Sequence, residues 1–205
     1  MSFAAKIKSN PRLKALVHRA LIPRNQARPR LWVRWFVNPF IHHKGKRSLI
    51  RRSARMDILP FNRFSLGDDS TIEDFTTINN GVGDVIIGDR TRVGLGCTVI
   101  GPVKIGNDVM IAQNVVMSAL NHRYEDESLP ISRQGVTRNA IEIGDEAWVA
   151  ANCVILSGVK VGKHAVVSAG SVVRRNVPAY SVVAGNPAAV IKKRNPDTKV
   201  WEWKI

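Results

Sequence analysis

The chain has 205 residues, enough to bury one substantial core, and no apolar run long enough to span a bilayer. Its two cysteines, Cys97 and Cys153, exclude a disulfide-stapled scaffold and are too few to cluster as zinc ligands with the scattered histidines. The formal net charge of +15 lies wholly ahead of residue 66: residues 1–65 carry sixteen Lys or Arg against one acid, Asp57, whereas residues 66–205 carry fifteen of each sign.

The first residues, Met1-Ser2-Phe3-Ala4-Ala5-Lys6, lack the apolar region of a signal peptide, so a cytoplasmic protein is expected. A helix is predicted over residues 11–22, with Leu13, Leu16, Val17 and Ala20 on one face and Lys14 and Arg19 elsewhere; Pro23 ends it. A basic linker with Arg24, Arg28 and Arg30 leads to the aromatic segment Leu31-Trp32-Val33-Arg34-Trp35-Phe36-Val37, readable as helix or strand, which Asn38-Pro39 stops. Two readings stay open for this basic region. Its apolar face caps the end of the repeats that begin at residue 66, or it lies on an anionic membrane surface. No nucleic-acid module appears in it.

From Leu66 a period of six sets in. Leu66, Ile72 and Ile78 are followed, after three extra residues, by Ile87, Val93, Val99, Ile105, Ile111 and Met117, and the count resumes as Ile143, Val149, Ile155, Val161, Val167 and Val173. Four residues after each of these fifteen stands a small or β-branched residue in every case but Asn121, and Gly, Ala or Ser often follows the aliphatic residue directly, as at Gly67, Gly88 and Gly106. Six suits neither a helix nor a single alternating strand, and it is a period of parallel β-helices. Each hexapeptide is then a short strand plus a corner. The aliphatic residue and the small one share the interior, and Gly relieves crowding where the backbone bends. Both cysteines fall on interior small-residue positions and are expected to pack. Residues 44–64 read as an irregular first coil, with Leu49, Ile50, Ile58 and Leu59 as candidates for burial. The extra residues at 79–84 make a corner bulge, where Asn and Gly tolerate positive backbone angles. Pro178 is expected to halt the coils, because Pro cannot donate to a strand ladder. The domains expected are therefore a basic region over 1–65, the β-helix over 66–177 with an inserted loop at 118–140, and a tail over 178–205.

The hexapeptides, together with Ile143-Gly144-Asp145-Glu146-Ala147-Trp148-Val149, Ser168-Ala169-Gly170-Ser171-Val172-Val173 and the tail Asn176-Val177-Pro178-Ala179-Tyr180-Ser181-Val182-Val183-Ala184-Gly185-Asn186-Pro187, resemble the hexapeptide-repeat acyltransferases, and within them the sugar and polysaccharide O-acetyltransferases. The resemblance covers residues 66–194. It implies an all-β fold, a left-handed parallel β-helix of about five coils with three hexapeptides per coil. It also implies a homotrimer with three composite sites in the grooves between subunits.

A histidine on the extended loop is the general base in the related enzymes, and Asn121-His122-Arg123-Tyr124 matches that motif, so the resemblance makes His122 the catalytic residue. The chemistry is sound: a sugar hydroxyl is a weak nucleophile until its proton is being removed, and neutral imidazole suits that task near pH 7. Glu125, Asp126 or Glu127 could orient the ring. Acetyl-CoA is the implied donor, with Ala151 and Ala169 along its pantetheine arm and Arg174, Arg175 and Lys192 at its phosphates; Ala189 stands where some relatives carry Arg, with Lys193 and Arg194 nearby. A backbone N–H near Ala151 would serve the developing oxyanion. No metal is expected: the metal-dependent hydratases on this fold need His ligands five residues apart, and neither His122 nor His164 has one. The implied partners are acetyl-CoA and a carbohydrate acceptor, with no nucleic acid, and the basic N-terminus adds a possible contact at the inner membrane face. A non-sugar acceptor such as serine, or a non-catalytic hexapeptide scaffold, is the competing reading; the long helical N-terminal domain usual in serine acetyltransferases is absent.

Overall fold

The computed structural model describes residues 9–204, so the start read for a signal peptide, residues 1–6, lies outside the described residues. Three parallel sheets stack around one axis. The first face runs His43–Lys44, Phe64–Leu66, Val85–Ile87, Val103–Ile105, Ile141–Ile143 and Lys160–Val161. The second runs Leu49–Ile50, Thr71–Ile72, Arg92–Val93, Met110–Ile111, Trp148–Val149, Val166–Val167 and Ser181–Gly185, and the third Arg55–Asp57, Thr77–Asn79, Thr98–Ile100, Val116–Ser118, Val154–Ile155 and Val172–Val173. This three-faced parallel solenoid fits the left-handed β-helix that the resemblance implies. It has six complete coils rather than five, because residues 43–57 pair in register with the coil above, His43 to Ser65, Leu49 to Thr71 and Arg55 to Thr77.

All fifteen aliphatic positions of the count are at most 2% exposed. Of their partners four residues on, only Val82, in the bulge, and Asn121, in the insertion, leave the interior. Where that inner partner is polar and a coil lies above it, it donates to a carbonyl of that coil: Ser70 Oγ to Gly88 O at 2.7 Å, Thr76 Oγ1 to Gly94 O at 2.7 Å and Thr91 Oγ1 to Gly106 O at 2.8 Å. Cys97 and Cys153 do the same through Sγ, to Ala112 O at 3.0 Å and Ser168 O at 3.1 Å. Ser171 Oγ, in the last coil, donates instead to Ser168 O at 2.6 Å. Burial pushes the Cys97 thiol up to about 11. The cysteines are thus packing residues. Among the first-coil candidates, Ile58 and Leu59 are buried and Ile50 half-buried, while Leu49 is 40% exposed, because its strand lies at the end of the stack and points that side chain outward.

The corners divide the work differently from expectation. Positive φ falls three residues after the aliphatic position, at Asp69 (55°), Arg90 (51°), Asp108 (56°), Asn114 (55°) and Asn152 (60°), and not at the glycines that directly follow it. Those glycines answer to close approach: a Cβ on Gly88 would lie 2.6 Å from the backbone of Gly106 in the next coil. At the corner between first and second faces, side chains two residues after the aliphatic position cap the coil below. Asp68 Oδ1 accepts from Lys46 N at 2.7 Å, and Asp89, Asn107 and Asp145 repeat the bond at 2.8 Å. Outside them runs a charge ladder in which Arg47 grips Asp69 and Arg90 grips Asp108, each through two hydrogen bonds of 2.6–2.7 Å.

The 79–84 bulge holds no positive φ. It is fixed by the Asn80 amide, fully buried, which accepts from Leu59 N at 2.7 Å and donates to Leu59 O and Asn62 O at 3.0 and 2.8 Å. Pro178 does not halt the coils either. Val177 bridges Val161, and Ser181–Gly185 continues the second face beside Val166–Val167. In lower coils the residue at the Pro178 position donates its N–H to the coil above, as Gly162 N does to Val177 O at 2.9 Å; no coil lies above Pro178, so its missing donor costs nothing. The chain then reverses through antiparallel Ala188–Arg194 and Trp201–Trp203. Trp201 joins His164 and Tyr180 in a stack on this end, with ring centroids 6.3 and 5.5 Å from His164.

At the other end, helix α1 (Pro11–Leu21) is capped by Asn10, whose side chain accepts from Arg12 N and Leu13 N at 3.1 Å. Ile22 is extended, as a residue before proline prefers. None of the apolar face of α1 is buried; Leu16 is 66% exposed. The aromatic segment is helical, forming α2 (Leu31–Phe36) and α3 (Asn38–Ile41). It is tied to the first coil by a 2.9 Å bond from Asn38 Nδ2 to Ile58 O, and its Val33 is fully buried.

His42, just after α3, accepts the Phe64 N–H on Nδ1 at 3.2 Å, which makes the ring neutral with its proton on Nε2. Burial lowers its pKa from the ordinary 6.5. The unfolded chain therefore binds that proton more readily, so the stability His42 contributes is complete above pH 6.5 and is lost as pH falls through that value toward the folded pKa. Arg34, His43 and Lys44 line the same recess. The thermal midpoint should drop on acidification from neutral pH to about pH 5, and His42→Asn should drop less over that range.

Candidate active site

The inserted residues form an ordered hairpin rather than a pause. Leu120–His122 and Val136–Arg138 pair antiparallel, His122 opposite Val136, and a turn of 3-10 helix, Ile131–Arg133, follows the tip. The base is riveted to the prism. Ser157 Oγ donates to Ala119 O at 3.0 Å, Gly158 N to Asn139 O at 3.0 Å, and Arg138 Nη1 to Val82 O in the bulge at 2.7 Å. Gln134 braces the interior of the loop: its Oε1 accepts from Asp126 N at 3.0 Å, and its Nε2 donates to Asp126 O and Leu129 O at 2.8 Å.

His122 stands exposed on this hairpin. Among the described residues no hydrogen-bond partner meets its imidazole. Glu125 and Asp126 are committed to the loop itself. Backbone N–H groups hold Glu125 below the usual carboxylate range, and the Ser128 hydroxyl and N–H do the same for Asp126, 2.6 and 2.9 Å from its Oδ1. Three other histidines have packing roles: His18 stacks on Phe61, His42 binds Phe64 N, and His164 Nδ1 lies 3.1 Å from Glu146 in the C-terminal stack.

The remaining candidate residues other than Lys192 lie at two places. Arg174 and Arg175 follow the third-face strand Val172–Val173, on the edge from which the hairpin springs two coils earlier. Ala151 and Ala169 stack on the edge between second and third faces, Gly170 N donating to Ala151 O at 2.9 Å. One chain therefore does not bring His122 to the alanines. Their edge differs chemically from its neighbour. Between first and second faces, Asp and Asn side chains cap the corner N–H groups; at the matching positions Leu95, Gln113, Ala151 and Ala169 supply no cap to the coil below, and among the described residues the N–H groups of Ala151 and Ala169 meet no acceptor. Beside that row lies a groove of 440 Å³ lined by Arg92, Leu95, Met110, Gln113 and Trp148.

Lys192 lies with Nζ 3.9 Å from the ring centroid of Trp203, so its ammonium is held on an aromatic face and not beside Arg175. The cation that shares a groove with Arg175 is Lys204, in a space of 430 Å³ with Asn176, Ala188 and Ala189. Lys204, Gln134 and Arg138 carry no local motif, and only the fold reveals their places.

Two family profiles match on either side of the hairpin: residues 84–119 match the hexapeptide repeat of succinyl-transferase, and residues 140–175 the bacterial transferase hexapeptide. Over 131 residues the chain is 35% identical to WbbJ of Escherichia coli K12, provisionally named a lipopolysaccharide biosynthesis O-acetyl transferase, covering 60% of this chain and 67% of that one. The chain belongs to the hexapeptide-repeat acyltransferases. The galactoside O-acetyltransferase of E. coli K12 is 35% identical over 103 residues, half of this chain and 49% of its own length. AntD, an N-acyltransferase of Bacillus cereus solved with dTDP and 3-hydroxybutyryl-CoA, superposes over 76% of this chain and 85% of its own with a TM-score of 0.65 at 20% identity, a likeness of fold. In this hexapeptide-repeat acyltransferase the matched profiles end where the hairpin begins and resume where it closes, so they cover the repeats on either side and not the hairpin itself.

Proposed function

We propose that the protein is an O-acetyltransferase that moves an acetyl group from acetyl-CoA to a hydroxyl of a sugar, oligosaccharide or polysaccharide precursor, with His122 as general base. The uncapped N–H row at Ala151 and Ala169 carries the donor half of this reading, since such a row suits the amide carbonyls of a pantetheine arm. That AntD, on the same fold, is seen with a coenzyme A thioester supports it. In this reading Arg175 and Lys204, which line one groove, meet the phosphates, with Arg174 alongside; Lys192 acts there only if it leaves Trp203.

The reaction is direct attack. An imidazole nitrogen of His122 takes the hydroxyl proton as the acceptor oxygen bonds to the thioester carbonyl carbon, and the C–S bond breaks from the tetrahedral intermediate. The imidazolium then returns its proton to the departing thiolate, and a corner N–H stabilises the intermediate oxyanion. Because His122 and the alanines occupy different edges, a site holding both takes the hairpin from one copy and the alanine edge from another, which favours a homotrimer. In this reading Arg138 positions the hairpin through Val82. Arg138→Ala should lower kcat about tenfold with little change in thermal midpoint, since one exposed hydrogen bond contributes only about 1 kcal/mol.

The test is thiol release from acetyl-CoA across a panel of sugars, nucleotide sugars, lipid-linked saccharides, amines and serine, with His122→Ala as blank. Release driven by a sugar hydroxyl and absent from the blank supports the proposal; release driven only by amines or serine replaces it. A monomer by light scattering would overturn the composite site.

A further inference from the structure

The eleven residues Leu31-Trp32-Val33-Arg34-Trp35-Phe36-Val37-Asn38-Pro39-Phe40-Ile41 place their aromatics at a helical spacing. Across α2 and α3, Val33 is fully buried, while Trp32, Trp35, Phe36 and Phe40 are 45, 64, 70 and 86% exposed. Four outward aromatics on one short segment leave an apolar stripe that no other described residue covers. Cations frame it: Arg28, Arg30 and Arg34 share a recess with Leu31 and Trp32, and Lys14, Arg19 and Arg24 line the neighbouring one. Among the described residues only Arg28 of these six pairs with an acid. Asp57 is the only acidic residue before Asp68, and it is 2% exposed, held by Arg55 at 2.9 Å with Arg28 3.8 Å away.

The occupant that meets such a surface must be apolar within and negatively charged at its rim. The geometry points to an anionic phospholipid bilayer, with Trp32, Trp35, Phe36 and Phe40 seated at the headgroup boundary and the arginines on lipid phosphates. Aromatics at this depth and basic residues beside an anionic leaflet are the two contributions that hold an interfacial helix. Among the described residues no helix is long and apolar enough to cross a membrane, so the contact is peripheral. The stripe lies at the first-coil end. The hairpin springs from the fourth coil, about 14 Å along the axis at three strand spacings.

Sedimentation of the full chain with phosphatidylcholine vesicles, with and without phosphatidylglycerol, tests this without reference to catalysis. Binding is expected only with phosphatidylglycerol, weakened by salt, and accompanied by quenching of Trp fluorescence by brominated lipid. The combined Trp32→Ser, Trp35→Ser, Phe36→Ser and Phe40→Ser variant should bind about a hundredfold more weakly. Arg24→Gln and Arg34→Gln, which leave the apolar stripe intact, should each weaken binding about fivefold. The proposal fails if the wild-type chain stays in solution with phosphatidylglycerol vesicles, if RNA displaces it from them while brominated lipid leaves its fluorescence unquenched, or if both sets of variants sediment as the wild type does. It fails too if the serine variant keeps its fold but changes its mass in solution, which would make the stripe a contact between copies.

Discussion

His122→Ala is expected to lower turnover at least a hundredfold, within the usual range for loss of a general base, and to leave the thermal midpoint and the mass in solution unchanged. The side chain is exposed and meets no partner among the described residues, so its removal breaks nothing in the fold. The arm that carries it is held by Gln134, Ser157 and Arg138, none of which hydrogen-bonds the ring. Loss of activity with an intact fold therefore isolates the imidazole. Steady-state thiol release measured beside a melting curve checks it, and full activity in the variant would remove His122 from the mechanism.

The other large effect concerns the scaffold. Gly88→Ala should destabilise the protein by about 3 kcal/mol, the upper part of the overpacking range, read as a fall of roughly 6–12 °C in midpoint for a chain of this size. The new Cβ would lie 2.4 Å from Asn107 Oδ1 and 2.6 Å from the Gly106 carbonyl carbon. Those atoms cannot retreat: Asn107 Oδ1 caps Asp89 N at 2.8 Å, and the Gly106 N–H donates to Ile143 O at 2.8 Å. Relief needs the third and fourth coils to part, which lengthens the bond from Gly88 N to Ile105 O and weakens the wall around the buried Ile105. Protein concentration must be equal in the two samples, because association shifts the midpoint.

Much of this was open to reading from the repeat. A period of six with large residues at one position and small ones four later can be satisfied by burial in one way, and those fifteen large residues do line the interior. The cysteines followed from the same rule. His122 was legible as a candidate because it interrupts the count, whereas its surroundings were not. The count does not say that the interruption pairs with itself as Leu120–His122 against Val136–Arg138, or that Arg138 reaches back to Val82. Two expectations fail for a shared reason, the halt at Pro178 and the positive angles within the 79–84 bulge. Both expectations applied rules about a residue's own backbone, and both outcomes were set by neighbours distant in sequence: the lack of a coil above Pro178, and the buried Asn80 amide bound to Leu59 and Asn62.

By itself the sequence determined the solenoid, its core and the place where its rhythm breaks, because periodic burial is a local property repeated along the chain. Only the tertiary structure decided which edge each candidate residue occupies, that His122 and Ala151 lie on different edges, and that Trp32, Trp35, Phe36 and Phe40 face outward while Val33 faces in. Those facts depend on which coil stacks on which and on how an end of the prism is covered, and such contacts join residues whose separation along the chain follows no period.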